Sequence, residues 1–346
     1  MLITYKLQKA NVKWNKEVSD FFDITNGVKQ GAVLSAVLYC VYTNELFREL
    51  RRSNVGCSIG QNYVGIVGYA DDIFLLSPSL DGLQKMLRIC EVYASTHNLK
   101  FSTDANATKS KTKCLAFCSK ERDLPNLKLS GNELPWVTTV KHLGVKIQND
   151  PKNIIGQDIK EKRAQYIQRN NELAQEFAFA NCETIANINR LYNSHFTGSV
   201  FWNLCSKEAD MTYNTWSVSI RKMFRLDRKT HRYLIEPVSK MQHIKISLMK
   251  RFVKFAESLA ETKKGAVRNV YNTLVNDCRS TVGMNTRLIQ LACNTTKAST
   301  KDIEKQPFCK IPQCEVWRVG IIDDLINIRD NQSYLNSIDW KKRRSC

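Results

Sequence analysis

The tetrapeptide Tyr69-Ala70-Asp71-Asp72 sets two carboxylates side by side, and these are the residues of the chain best suited to do chemistry. Carboxylate oxygen suits a hard divalent cation such as Mg2+, and a consecutive pair can offer two such ligands at one spot. The flanks must hold them there. Gly65-Ile66-Val67-Gly68 is a short β-prone run into the tetrapeptide, Ile73-Phe74-Leu75-Leu76 is an apolar run out of it, and Ser77-Pro78 ends the second run. The pattern predicts a hairpin with the acidic pair at its turn. Between apolar strands an unpaired charge is costly to bury unless a cation or hydrogen bonds compensate, which makes a metal site one reading. Asp is also a common turn residue, and a solvated turn is the other reading. Side chains alternate along a strand, so the two aspartates are not expected to play equal parts.

The elements around the turn follow from periodicity. Over 32–50 the residues Val33, Leu34, Val37, Leu38, Val41, Leu46 and Leu50 suggest one apolar helical face, a buried helix behind the acidic pair. A second helix is expected over 80–96, where Leu83, Leu87, Cys90 and Ala94 recur at spacings of four, three and four, packed across the back of the hairpin. Short strands are expected at 114–118, at 127–129 with a turn through Ser130-Gly131-Asn132, and at 140–147. The fold class is α+β: an antiparallel sheet with helices on one face, then a mainly helical half after Pro151. There Ile155, Ile159, Tyr166, Leu173 and Phe177 suit one long helix, and Tyr213, Trp216, Ile220 and Met223 another, beside Arg221, Lys222 and Arg225. Aromatics among cations can stack on bases, although aromatics at helical spacing are usually core.

The whole chain sets the class of partner. Its 346 residues are 43% hydrophobic, an ordinary globular proportion, and 52 basic against 33 acidic residues give a formal charge of +19. Such a charge draws polyanions, nucleic acid first. No apolar run approaches the length of a membrane span, and the first residues lack the apolar centre of a secretory signal. The 12 cysteines are scattered, with Cys40, Cys90 and Cys114 in apolar segments, which reads as buried thiols rather than disulfides. Cys293, Cys309, Cys314 and His243 fit no standard zinc spacing. The terminal run Lys341-Lys342-Arg343-Arg344 suits a solvated end, a nucleic-acid contact or a nuclear import signal.

Three further motifs carry a resemblance. Asn26-Gly27-Val28-Lys29-Gln30-Gly31-Ala32-Val33-Leu34-Ser35 lies upstream of the acidic pair; Lys109-Ser110-Lys111-Thr112-Lys113-Cys114-Leu115-Ala116-Phe117 and Val140-Lys141-His142-Leu143-Gly144-Val145-Lys146-Ile147 lie downstream. In this order and with the acidic turn, they resemble the reverse transcriptases of non-LTR (LINE-type) retrotransposons, most closely over 21–147. The resemblance implies a partial palm domain over 1–150, a helical thumb-like region over 151–240 and a helical C-terminal extension over 241–346. It implies RNA-directed DNA synthesis with Mg2+, or Mn2+ in its place, acting on an RNA template, a DNA primer or target and dNTPs, without a membrane, in a nuclear or cytoplasmic ribonucleoprotein.

The same resemblance assigns roles. Asp71 is the principal metal ligand and Asp72 supports it; Tyr69 lies beneath the primer end, and Ala70 is small enough for the duplex to approach. A missing Cβ at Gly31 permits close backbone approach at the nucleotide pocket, and Lys29 and Gln30 would touch the nucleotide or the template. Lys111, six residues before Phe117, would protonate the pyrophosphate leaving group, with Lys109 and Lys113 as equally available phosphate binders. His142, Leu143 and Gly144 form part of the primer grip, although His142 also reads as a polar face residue. Ser35 is placed by the motif, and a helix-capping or packing role accounts for it nearly as well. Two departures stand out: Ala36 replaces the usual proline, and the family's earlier aspartate motif is expected upstream of this chain, since 21–25 reads as the strand leading into the glycine motif and Asp20 and Asp23 are the only nearby candidates. The expectation is therefore a poorly active fragment. The alternative is a basic, non-catalytic nucleic-acid-binding remnant.

Overall fold

A computed structural model describes residues 9–24, 34–104, 109–117, 124–192, 196–239 and 241–304. Contacts divide the chain into two compact units, Met1–Thr112 with Pro125–Pro135, and Lys113–Leu124 with Trp136–Cys346. The class is α+β, and among the described residues the strands pair antiparallel and two by two.

In the first unit β1 (Lys9–Ala10) pairs with β4 (Phe22–Asp23) around the small hairpin β2 (Lys13–Trp14) and β3 (Glu17–Val18). Helix α1 (Ser35–Arg52) follows, then hairpins β5 (Ser58–Ile59) with β6 (Asn62–Tyr63) and β7 (Ile66–Tyr69) with β8 (Asp72–Leu75). Helix α2 (Leu80–Thr96) begins directly after Pro78, where the Ser79 hydroxyl accepts the Gly82 N–H at 3.1 Å and caps its N-terminus. Hairpin β9 (Lys128–Leu129) with β10 (Asn132–Glu133) completes the unit. Gln84 of α2 joins that hairpin by two 2.9 Å bonds, accepting the Lys128 N–H and donating to the Lys128 carbonyl. The core is Leu46 and Leu50 of α1, Met86, Cys90 and Tyr93 of α2, and Ile66, with Ile73 and Leu75 packed against them. Both helices thus back the β7–β8 hairpin.

One expectation about α1 is overturned. Its buried side runs through Thr43, Leu46 and Leu50, whereas Val37 and Val41 are 57% and 69% exposed. At 100° per residue Leu46 lies about 140° around the helix from Val41, so the two sets cannot share a face. The helix obeys the stripe Tyr39, Thr43, Leu46, Leu50, at spacings of four, three and four. Nor does Ser35 cap the helix: Leu34 occupies the cap without a side-chain bond, and Ser35 is buried in the first turn. Cys90 and Cys114 are buried, which pushes their thiols up to about 12 and about 11, but Cys40 is exposed, contrary to expectation.

Gly68 lets α1 approach the hairpin. A Cβ there would lie 2.3 Å from the tip of the Phe47 ring, which packs on the unit's core. Gly68→Ala is expected to push that ring aside and destabilise the first unit by about 1–3 kcal/mol, read by urea denaturation; an unchanged midpoint would show that Phe47 yields freely.

In the second unit the expected strand over 140–147 is instead a hairpin, β11 (Thr139–His142) with β12 (Val145–Gln148). Leu143 and Gly144 take φ of 46° and 79°, the left-handed pair that matches strand twist in a two-residue turn. Cys114 makes only an isolated parallel bridge to Trp136 rather than the start of a strand. Helices α3 (Gly156–Glu176), α4 (Cys182–Tyr192), α5 (Lys207–Met223), α6 (Ile235–Ser239), α7 (Ile244–Ala260), α8 (Gly265–Asn276), α9 (Thr281–Cys293) and α10 (Thr300–Glu304) follow. Tyr166, Trp202, Tyr213, Trp216 and Phe252 are buried in one cluster, so these aromatics form core and are not available to stack on bases. Asn285, fully buried, donates to the Trp202 carbonyl at 2.8 Å and accepts the Leu204 N–H at 2.9 Å, tying α9 to the turn before α5.

His243 titrates abnormally. It is buried against the Trp216 ring, 4.6 Å between centroids, and its Nδ1 accepts the Lys245 N–H at 3.1 Å. Burial first, then Lys245 and Arg232, hold its imidazole down at about 3. In the unfolded chain it titrates near ~6.5, so below that pH the unfolded state takes up a proton the native state refuses. Its stabilisation is complete above pH 6.5 and is lost as pH falls towards 3, reaching about 2 kcal/mol at pH 5. His243→Gln should flatten the pH dependence of the urea midpoint over that window, and parallel profiles would refute the assignment.

Candidate active site

The acidic pair sits where backbone pairing puts it. The register Ile66↔Leu75, Val67↔Phe74, Gly68↔Ile73 and Tyr69↔Asp72 leaves Ala70 and Asp71 as a two-residue loop. Ala70 has φ of 52°, a left-handed conformation that costs a residue with a Cβ roughly 1–2 kcal/mol, so the hairpin stem and the helices behind it must enforce the turn. Asp71 is therefore at the tip, and Asp72 opens β8 directly opposite Tyr69. Unequal placement was expected, but it arises from turn against strand rather than from alternation.

Tyr69, Ala70, Asp71 and Asp72 are all exposed. Burial between apolar strands therefore gives no reason for a metal here. The donor chemistry does: two anionic oxygen ligands on a braced, open tip leave room for the water and phosphate oxygens that complete a Mg2+ shell, and Mg2+ is commonly held by one or two carboxylates. Among the described residues no group of three or more His, Cys, Asp or Glu side chains gathers for a metal. The two carboxylates suit a cation shared with a substrate phosphate better than a closed protein cage.

One neighbour escaped the sequence reading. Tyr39 of α1 has its phenol raised, first by burial, then by the Asp71 charge and by Cys40. The first half of α1 therefore lies near the acidic tip. The signal was present in the stripe through Tyr39, Thr43, Leu46 and Leu50, which competed with a longer run of aliphatic residues.

The other expected residues fall on separate segments. Lys109, Lys111 and Lys113 are all exposed on an irregular stretch, and the backbone beside Lys111 is pinned where Thr112 donates twice to the Ser102 carbonyl, from its N–H at 3.1 Å and its Oγ1 at 3.0 Å. Ser110, buried, donates to the Thr112 carbonyl at 2.8 Å. Lys29, Gln30 and Gly31 lie outside the described residues.

His142, Leu143 and Gly144 form the tip of β11–β12 in the second unit, with Leu143 exposed and open space around Gly144. That hairpin is anchored at one buried carboxylate. Asp158 of α3 accepts the Lys146 N–H at 3.0 Å on one oxygen, and the Trp202 indole N–H at 3.1 Å and the Lys162 ammonium at 2.9 Å on the other. Lys146 reaches further to Glu161 at 2.5 Å, and the bonds from Lys146 and then Gln157 hold the Glu161 carboxyl below its usual range.

Residues 2–147 match the family described as reverse transcriptase (RNA-dependent DNA polymerase). A stretch of 128 residues is 30% identical to a protein of Drosophila funebris described as RNA-directed DNA polymerase from mobile element jockey. Both likenesses support a non-LTR reverse-transcriptase reading of the segment 2–147, which is less than half of the chain. The alignment spans 35% of this chain but 13% of the jockey protein's length. The matched segment contains the acidic turn, both helices behind it, the Lys111 stretch and the β11–β12 tip; α3 to α10 lie beyond it. Among the described residues no helix is long and apolar enough to cross a membrane.

Proposed function

We propose that the chain is part of an RNA-directed DNA polymerase in which the Asp71–Asp72 turn is the catalytic centre. The observation that carries this reading is the strained, exposed acidic tip, braced by two helices, inside the reverse-transcriptase segment. Asp71 at the tip and Asp72 beside it would hold Mg2+, or Mn2+ in its place; when bound, the metal activates a primer hydroxyl and neutralises charge on the transferring phosphate. Tyr69, exposed next to the pair, supports the primer end, and the small Ala70 leaves the duplex room to approach. Lys29, Gln30 and Gly31 serve the nucleotide pocket. Lys111 delivers a proton to the departing pyrophosphate, and His142, Leu143 and Gly144 steady the primer strand. The helices from α3 to α6 act as a thumb, and those beyond as an extension, on an RNA template and DNA primer with dNTPs, in a nuclear or cytoplasmic ribonucleoprotein.

The test is RNA-templated primer extension by the 346-residue chain and by a version extended upstream through the family's preceding aspartate motif. Template-dependent dNTP incorporation is expected in the extended protein, with salt-sensitive binding in both. Intact template binding without any incorporation by the extended protein would overturn the catalytic assignment.

A further inference from the structure

An open groove of about 460 Å³ runs between α3 and α5 in the second unit. Its apolar floor is Ile167, Met211 and Val218, the last 64% exposed, and Arg163 and Lys222 supply positive charge. Lys222 donates to Asn171 at 2.7 Å across the two helices, which holds the groove's walls together. No carboxylate and no aromatic ring lines it. A base would find nothing to stack on there, whereas aliphatic side chains flanked by acidic ones would find both floor and counter-charge.

We propose that this groove docks the chain's own segment 317–328. In that stretch Trp317, Ile321, Leu325 and Ile328 recur at spacings of four, four and three, the period of one helical face, while Asp324 flanks that face. The apolar stripe would fill the floor with Trp317 as the large anchor, and Asp324 at its border would meet the positive charge of Lys222 or Arg163. Reach is sufficient. Ile303 of α10 is buried in the same core as Trp216 and Ile220 of α5, and the 12 residues from 305 to 316 span up to about 40 Å when extended. This docking stands whether or not the Asp71–Asp72 turn catalyses polymerisation.

Hydrogen–deuterium exchange on the full chain tests it. Amides of 317–328 are expected to exchange at least about tenfold more slowly than free peptide, and Val218→Glu is expected to remove that protection while α3 and α5 stay protected. Lys222→Glu should lower protection of the segment about threefold, and adding Asp324→Lys should restore it; this charge exchange decides the matter if Val218→Glu loosens α5. Free-peptide exchange of 317–328 in the unaltered chain, or the same protection with and without the groove substitutions, overturns the proposal. So does a structured RNA whose binding Val218→Glu abolishes while 317–328 keeps its protection, since nucleic acid would then be the occupant.

Discussion

Replacing Asp71 by Asn in the upstream-extended protein is expected to lower RNA-templated incorporation about 1,000-fold, or ~4 kcal/mol of transition-state stabilisation. The substitution keeps the turn's shape and polarity and removes one charge, so the loss would report on metal and phosphate rather than on folding. Asp71 is exposed at the loop of β7–β8, and thermal stability should move by no more than about 0.5 kcal/mol. A second readout needs no turnover. The Asp71 charge is one of the causes that raise the Tyr39 phenol, so Asp71→Asn should lower the pH at which Tyr39 ionises, followed by ultraviolet difference absorbance. Asp72→Asn should cost less activity, because Asp72 lies in the strand opposite Tyr69 rather than at the tip. Wild-type incorporation by Asp71→Asn would refute the site, while an unmoved Tyr39 would refute only its geometry.

Asp158→Ala is expected to destabilise the second unit by about 3–5 kcal/mol. The Asp158 and Lys162 side chains are 4% and 11% exposed, so removing the carboxylate leaves the Lys162 ammonium without its counter-charge, with the Thr197 carbonyl as its remaining acceptor, strips the buried Trp202 indole N–H of its acceptor and frees the Lys146 N–H of β12. Asp158→Asn should cost less, since an amide oxygen can still accept one of those donors. Urea unfolding measures the loss, and amide exchange over 139–148 should rise first if Asp158 anchors the hairpin. A change below about 1 kcal/mol would mean that Lys162 reaches solvent and the network is dispensable.

Some of this architecture is legible residue by residue. Helix α2 occupies 80–96 as its periodicity requires, because Ser79 caps it and Met86, Cys90 and Tyr93 meet α1 and the hairpin on one side. The β7–β8 hairpin follows from its apolar flanks, and its turn falls on Ala70-Asp71. Other features were misread for stated reasons. The aliphatic residues of α1 outnumbered the stripe that is buried, and Val37 and Val41 ended in solvent. The 140–147 run reads as continuous because Leu143 gives no turn signal, and only Gly144 marks the reversal.

From its sequence alone this chain has its acidic pair, the strands that present it, the α2 helix and the order of motifs by which 2–147 matches the reverse-transcriptase family. These depend on interactions within a few residues: backbone pairing, capping and side-chain period. Only the tertiary structure decided that Asp71 and Asp72 face solvent, that Tyr39 stands near them, and that Lys146, Asp158, Lys162 and Trp202 meet at one buried carboxylate. Burial and charge pairing are settled by which distant surfaces exclude water together, and no local pattern along the chain carries that information.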